Sequence, residues 1–417
     1  MMKKFIAILA AGWLLGLISL TLVYLLPTER MEQNVRSSME VFYTESVYPQ
    51  QVPGYKATQL DNETDAIMLL GAIYDGGGYS AIKQAMRAAR VDISDIPSKC
   101  NVLIKYAWEN QTPDSVSEYT RYWHGYMLWL KPLLLLFDYA DIRMLNMMVQ
   151  TLLLFWLIRE LTEKKQQKLV VPLAFAVMVI NPVAAAMSMQ FSSIYDIVLL
   201  SMILILRYHE KWETEGKYPY FFLILGMTTV FFDFLTYPMA ALGIPLILVL
   251  IMKKQGLKQG IYDAVVGYSL CFAAGYAGMW AGKWIMASLI LGENVLAEAM
   301  GQAGVHSGAA VVDGQELSHL GVIWRNVRVL IKWPYVLAMA GMFFVYIFRI
   351  FKNKAAAFRK ETVIPIGLVC LIPFGWIWIT SSHAAWCYWY TYRGISVAVF
   401  GVFSILSIIS GRKEYVK

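Results

Sequence analysis

The chain has little charge and almost nothing from which a redox, nucleotide or nucleophilic centre could be built. Only 16% of its 417 residues are Asp, Glu, Lys or Arg, against 58% hydrophobic ones. Several apolar stretches match or exceed the ~20 residues that cross a hydrocarbon core, which excludes a string of soluble domains. The four cysteines, Cys100, Cys271, Cys370 and Cys387, have no metal-ligand spacing. Cys100 and Cys387 fall on the same outer side of the expected topology, which would permit a disulfide, though unpaired thiols are the expectation. No Gly-Lys-Ser or Gly-Lys-Thr follows Gly76-Gly77-Gly78, so that triplet is a turn and not a phosphate loop. His306 and His319, with Asp313 and Glu316, fit no zinc pattern and are expected in a solvated loop. There is no heptad array and no internal repeat.

The charge that is present is basic, with a net +7. Lys and Arg cluster in short loops between apolar runs, which is the pattern that sets membrane orientation and not a nucleic-acid footprint. The fold expected is all-α: a polytopic transmembrane bundle, one membrane-embedded domain over residues 1–417. Ten spans are predicted, at 5–26, 141–161, 169–187, 191–207, 218–234, 238–252, 262–284, 329–349, 361–380 and 394–410. Both termini then lie inside, with Lys254, Lys258, Lys354, Arg359, Arg412 and Lys413 among the inner anchors. Residues 122–137 are apolar but short and interrupted by Lys131-Pro132, so they are expected to dip into the interface. Residues 27–121 form a long first outer loop, and 285–328 a second. Two amphipathic helices, at 65–74 and 80–90, are expected to lie on the outer membrane surface.

The first loop carries three carboxylates in five residues, Asp61, Glu63 and Asp65. On a helix Asp61 and Asp65 share one face. Two nearby carboxylates raise the proton affinity of one of them, which suits a general base and would equally suit a divalent cation. The cation reading is the weaker, because Ala66 and Ala72 stand where a calcium loop has its glycine and its glutamate. The plain alternative is that these acids cap a helix and complement its dipole.

A single span, an outer loop opening with an acidic motif and two surface helices resemble the C-type, polyprenyl-phosphate-dependent integral membrane glycosyltransferases. The stretch YWHGYMLWLKPLLLLFDYADIRMLNMMVQTLLLFWLIREL is similar to that superfamily's interface helix followed by an inward span beginning with an arginine, here Arg143. Asn181-Pro182 with Asp196, and FFDFLTYPMAALGIPLI, continue the likeness over roughly residues 1–260. Where the superfamily commonly has two prolines after the histidine, Gly125-Tyr126 follow His124 here. The resemblance implies that Asp65, the closest match, is the base acting on an acceptor hydroxyl, with Asp61 or Glu63 assisting. It also implies a polyprenyl-phosphate-linked sugar donor, a glycan, lipid or protein acceptor and a bacterial-type plasma membrane.

His124, Arg143, His383, Tyr390 and Arg393 are the candidate substrate-binding residues. Arg393 would grip phosphate beside the aromatics of SSHAAWCYWYTYRG. The competing account of those aromatics is an interfacial belt, and of Lys131 and Arg143 it is snorkelling to headgroups. Asp196 and Asp233 are membrane-edge acids for which a bond to a neighbouring turn is the simpler fate. Two rival functions fit the same architecture: a flippase or transporter of a lipid-linked glycan, and a glycan polymerase or ligase.

Overall fold

The computed structural model describes residues 2–253, 260–352 and 360–411. The basic residues Lys254, Lys258, Lys354, Arg359, Arg412 and Lys413 lie outside the described residues. Helix α1 (Met2–Val23) leads into a first loop containing α2 (Glu29–Ser37), α3 (Met39–Glu45), α4 (Asn62–Ile73), α5 (Ala81–Arg87) and α6 (Lys99–Leu103). The short α7 (Met127–Leu134) closes that loop. Then follow α8 (Tyr139–Glu163), α9 (Val170–Ile180), α10 (Pro182–Met187), α11 (Met189–Thr214), α12 (Tyr218–Phe232), α13 (Met239–Met252) and α14 (Ile261–Leu291). A second loop holds α15 (Val295–Ser307) and α16 (His319–Val327). After it come α17 (Trp333–Lys352), α18 (Lys360–Ile379), α19 (Ser381–Trp386), α20 (Tyr388–Thr391) and α21 (Ser396–Ile409). Each loop also carries one two-stranded antiparallel ribbon, Arg90–Asp92 with Ser115–Ser117 and Ala310–Val312 with Gln315–Leu317.

The chain is an all-α, multi-pass membrane protein. Seven stretches are long and apolar enough to cross a membrane: α1, α8, α11, α14, α17, α18 and the run Tyr388–Ile409. Three further apolar helices, α9, α12 and α13, are shorter. Helix α13 has 14 residues, a length of about 21 Å against a hydrocarbon core of about 30 Å. Its residues from Met239 to Leu250 are buried on every side, so protein surrounds it. That is where short or irregular backbone is tolerated at membrane depth. Helix α9 stops at Asn181, whose left-handed backbone (φ 60°) turns the chain. The Asn181 side chain then caps α10 through the Ala184 amide at 3.2 Å, with Pro182 at the first helical position.

Helices α12 and α14 cross in backbone contact. A Cβ on Gly226 would sit 2.1 Å from the Phe272 carbonyl oxygen, and one on Gly275 1.9 Å from that of Leu223. Small residues allow this approach where lipid supplies no hydrophobic drive between helices.

The first loop is part of the core. Met68, Leu69, Leu70, Met86 and Leu103 share one buried cluster with Leu20 of α1, Leu130 of α7, Phe231 of α12 and Met279 of α14. Helix α4 therefore does not lie on the outer membrane surface: nine of its twelve residues are buried. The reason is compositional, since beyond Asp65 the run AIMLLGAI is apolar all round and has no face to give to water. Gly76, Gly77 and Gly78 all take positive φ and make the expected turn. Residues 122–137 fold as a bend followed by the eight-residue α7 with Pro132 inside it.

Two buried lysines fasten the loop from behind. Lys131 Nζ donates to the Ala72 carbonyl at 2.7 Å, and Lys283 Nζ to those of Ala85 and Met86 at 3.2 and 3.0 Å. Each lysine meets carbonyls near the C-terminal end of a loop helix, where the dipole favours a cation. The two loops are joined by ion pairs from Arg87 to Glu293 at 2.7 Å and from Arg121 to Glu298 at 2.8 Å.

Replacing Gly275 by Val should force α14 away from α12 and destabilise the folded chain by about 1–3 kcal/mol, the usual range for overpacking. Thermal unfolding of the purified protein in detergent measures this. An unchanged midpoint would mean the crossing does not depend on that close approach.

Candidate functional site

The three carboxylates of the first loop each meet the start of a different helix. Asp61 is the N-cap of α4: its Oδ1 accepts from the Thr64 amide at 2.9 Å. Glu63 reaches across the loop to α6, accepting from the Ser98 hydroxyl at 2.7 Å and the Lys99 and Cys100 amides at 2.6 and 3.0 Å. Asp65 reaches into the bundle, where its Oδ2 accepts from the Met189 amide at 3.0 Å and its Oδ1 from that of Gln190 at 3.3 Å. Those are the first amides of α11. The Tyr139 hydroxyl adds a third bond to Asp65 at 2.6 Å.

Asp61 and Asp65 are both buried, and burial acts on both. Asp65 is wholly enclosed, and Asp61 retains 3% exposure. Burial raises the Asp61 carboxyl from its ordinary 3.8 to about 7, with the Thr64 amide opposing and the neighbouring Asp65 adding to the rise. Burial also raises Asp65, to about 6, while Tyr139, Arg143 and the Met189 and Gln190 amides act to lower it. The second Asp61 oxygen accepts from the side-chain amide of Gln190. It is thus the one carboxylate oxygen of the Asp61–Asp65 pair held by a rotatable side-chain amide. Ser188 Oγ accepts from the Asp61 amide at 3.0 Å and ties this end of α4 to the residue before α11.

Arg143 of α8 sits at 6% exposure beside this pair. It donates to Glu45 at 2.7 Å and to the Asn62 side chain at 2.9 Å, and lies over the Tyr139 ring at 4.5 Å. Arg393 is fully enclosed and donates to three carbonyls, those of Ile180 at 2.8 Å, Trp389 at 3.0 Å and Ala57 at 3.4 Å. Both guanidiniums are therefore already engaged by protein acceptors. Arg393 thereby clamps the break after α9, the start of the last span and the segment preceding Asp61.

The two histidines flank a strained turn. Asp233 caps that turn, accepting from the Thr236 amide at 3.0 Å and from its hydroxyl, and Leu235 holds a positive φ of 64°. His124 packs its ring on Phe234 at 5.1 Å. Its Nε2 faces the Tyr119 carbonyl at 2.8 Å and so donates, leaving Nδ1 to accept from the Tyr126 hydroxyl at 2.9 Å. Burial first, then the nearby Lys283 charge, hold His124 well below its ordinary value, so the ring is neutral. His383 donates to the Leu235 carbonyl at 2.9 Å, and burial followed by the neighbouring His306 lowers it to about 4. His306 is drawn out of solvent onto His383, ring to ring at 5.0 Å, and His319 stacks on Trp378 at 4.5 Å. Tyr390 closes this side, 5.9 Å from the His383 ring.

Gly125 explains the departure after His124. Its N–H donates to the Phe231 carbonyl at 2.8 Å, and a Cβ there would lie 2.4 Å from that oxygen. A proline could not make this bond.

Sequence reasoning missed Tyr139, Ser188 and Gln190, which hold the carboxylates, and Arg90. Arg90 is buried over the Tyr119 ring at 5.6 Å with Nε and Nη1 unpartnered. In the sequence it stands three residues after Arg87 and two before Asp92, and nothing local marks it as unpartnered. All four cysteines are free thiols, and among the described residues no three His, Cys, Asp or Glu side chains converge to hold a metal ion. Comparison with protein-family models, with curated proteins and with solved structures finds no match.

Asp65→Ala would leave two helix-start amides and a buried hydroxyl without an acceptor, costing about 1–3 kcal/mol. Asp65→Asn keeps a carbonyl acceptor and should cost less. Chemical unfolding of the two variants in detergent gives the order; equal stabilities would show that Asp65 does not hold α11.

Proposed function

We propose that the chain is an integral membrane glycosyltransferase that moves a sugar from a polyprenyl-phosphate donor to a hydroxyl on the outer face of a bacterial-type plasma membrane. In this reading the chain crosses ten times, with α9, α12 and α13 completing the count and both termini inside. The observation that carries the proposal is Asp61: a buried first-loop carboxylate at a helix start, one of whose oxygens is held by the rotatable side-chain amide of Gln190. A base is most effective when its proton affinity lies near the working pH. Asp61 takes the acceptor's hydroxyl proton as that oxygen bonds to the sugar's anomeric carbon. The bond from that carbon to the donor phosphate breaks, its electron pair leaves with the polyprenyl phosphate, and configuration inverts.

Within this reading the base is Asp61 and not Asp65, because Asp65 is enclosed and held by three fixed donors. Asp65, Arg143 and Arg393 are positioning residues. Arg90, with free donors, meets the phosphate. The neutral His124 and His383, with Tyr390, line the approach on either side of the Asp233–Thr236 turn.

One observation favours the rival reading of a lipid-linked glycan transporter. The break between α9 and α10, and the short pair α12 and α13, are discontinuous helices of the kind transporters use near mid-membrane.

The test is transfer of radiolabelled sugar from a panel of polyprenyl-phosphate sugars by reconstituted full-length protein. Asn is itself a good N-cap, so Asp61→Asn should fold yet lose about 10²–10⁴-fold in rate. Wild-type transfer should climb as pH rises through about 7, the value at which Asp61 releases its proton. Stability moves the opposite way. The folded carboxyl retains a proton that the unfolded one loses above 3.8, so its contribution is complete below that pH and is lost as pH rises through 7. Wild-type rates in Asp61→Asn would remove Asp61 from the chemistry. Movement of lipid-linked glycan across vesicles without transfer would install the transporter.

A further inference from the structure

A pocket of about 440 Å³ lies where the first loop meets the second, lined by Lys56, Arg325, Arg328, Lys332, Trp324 and Tyr388 among others. It contains four cations and no carboxylate. Among the described residues none of the four makes a salt bridge. Lys56 donates to the Gln59 side chain at 2.7 Å, Arg325 lies over the Tyr388 ring at 4.2 Å, and Lys332 lies over Tyr55 at 5.4 Å. Arg325 Nε is enclosed with no acceptor at all. Four positive charges converging without a counter-charge repel one another, and an anion supplied from outside relieves that.

The surroundings identify the source of the anion. Trp324 in the pocket lining and Trp333, next to Lys332 in the chain, are both exposed, as tryptophans are at headgroup level. Lys332 directly precedes α17, and only 6% of that span is buried inside the protein. Leu337, Phe344 and Phe348 on α17 are exposed apolar side chains that run away from the pocket down the span. Clustered Lys and Arg beside the end of a membrane span attract anionic headgroups. We infer that this pocket holds the phosphate of an anionic bilayer phospholipid, with its acyl chains lying along the exposed face of α17. The lipid would fix α16 and the second loop against the first, since Lys56 belongs to one loop and Arg325 and Arg328 to the other.

The experiment reads lipid retention and involves no sugar transfer, so its outcome stands apart from the glycosyltransferase proposal. Full-length protein is reconstituted in equal parts phosphatidylglycerol and phosphatidylcholine, extracted in mild detergent and examined by native mass spectrometry. Wild type should retain one phosphatidylglycerol in preference to phosphatidylcholine. The double variant Arg325→Gln, Arg328→Gln should lose that preference on the order of 10-fold or more, while Arg325→Lys, which keeps the charge, should retain it. Undiminished preference in a correctly folded double variant overturns the inference. Displacement by millimolar inorganic phosphate also overturns it, in favour of a soluble anion. Selective replacement by polyprenyl phosphate overturns it too, and assigns the pocket to an isoprenoid.

Discussion

The architecture depends on how helix starts are satisfied. A helix leaves its first amides without internal partners, and in a chain that must keep water out of its core those amides need acceptors from elsewhere. Three acids within five residues do this for three helices at once. Asp61 serves its own helix, Glu63 serves α6 and Asp65 serves α11. The consequence is topological, because Asp65 and Met189 are far apart in sequence yet fix the loop to a span. Tyr139 and Arg143 bring α8 into the same junction.

The opposite helix ends are held by the opposite charge. Lys131 and Lys283 occupy carbonyls near the C-terminal ends of α4 and α5, and Arg393 occupies three carbonyls at the meeting of α9, the first loop and the last span. A buried cation is costly unless its donors are satisfied, and carbonyls at a helix end satisfy them without a second charge. Charge therefore enters this core at helix termini and at few other places. That distribution makes the first loop continuous with the bundle.

What the sequence could reveal follows from range. The apolar helices were legible because an apolar run is a local property: each of the ten expected runs contains one, and seven are long enough to cross. The Gly76–Gly78 turn was legible for the same reason. The burial of α4 was not, since an apolar helix beside a polar one suits either a membrane surface or a core, and only the tertiary partners decide. Nor were the partners of the carboxylates. The pattern DNETD shows that acids gather near a helix start, but not that Glu63 serves a helix 36 residues on or that Asp65 serves one beyond the next span. The unpartnered guanidinium nitrogens of Arg90 and Arg325 were invisible likewise, because a missing acceptor is a property of three dimensions.

The same constraint explains why two carboxylates one turn apart differ. A carboxylate accepting from fixed amides is pulled toward its charged form, and burial pulls it back. At Asp65 three donors oppose burial, and all three are fixed by backbone or by a packed tyrosine. At Asp61 one amide is fixed, and the other partner is the rotatable side chain of Gln190. A hydroxyl arriving at Asp61 has to displace only that side-chain amide, whereas at Asp65 it would have to unseat the start of a membrane helix. The site therefore has a rigid member and an adjustable one, and chemistry that requires a proton to move falls to the adjustable one.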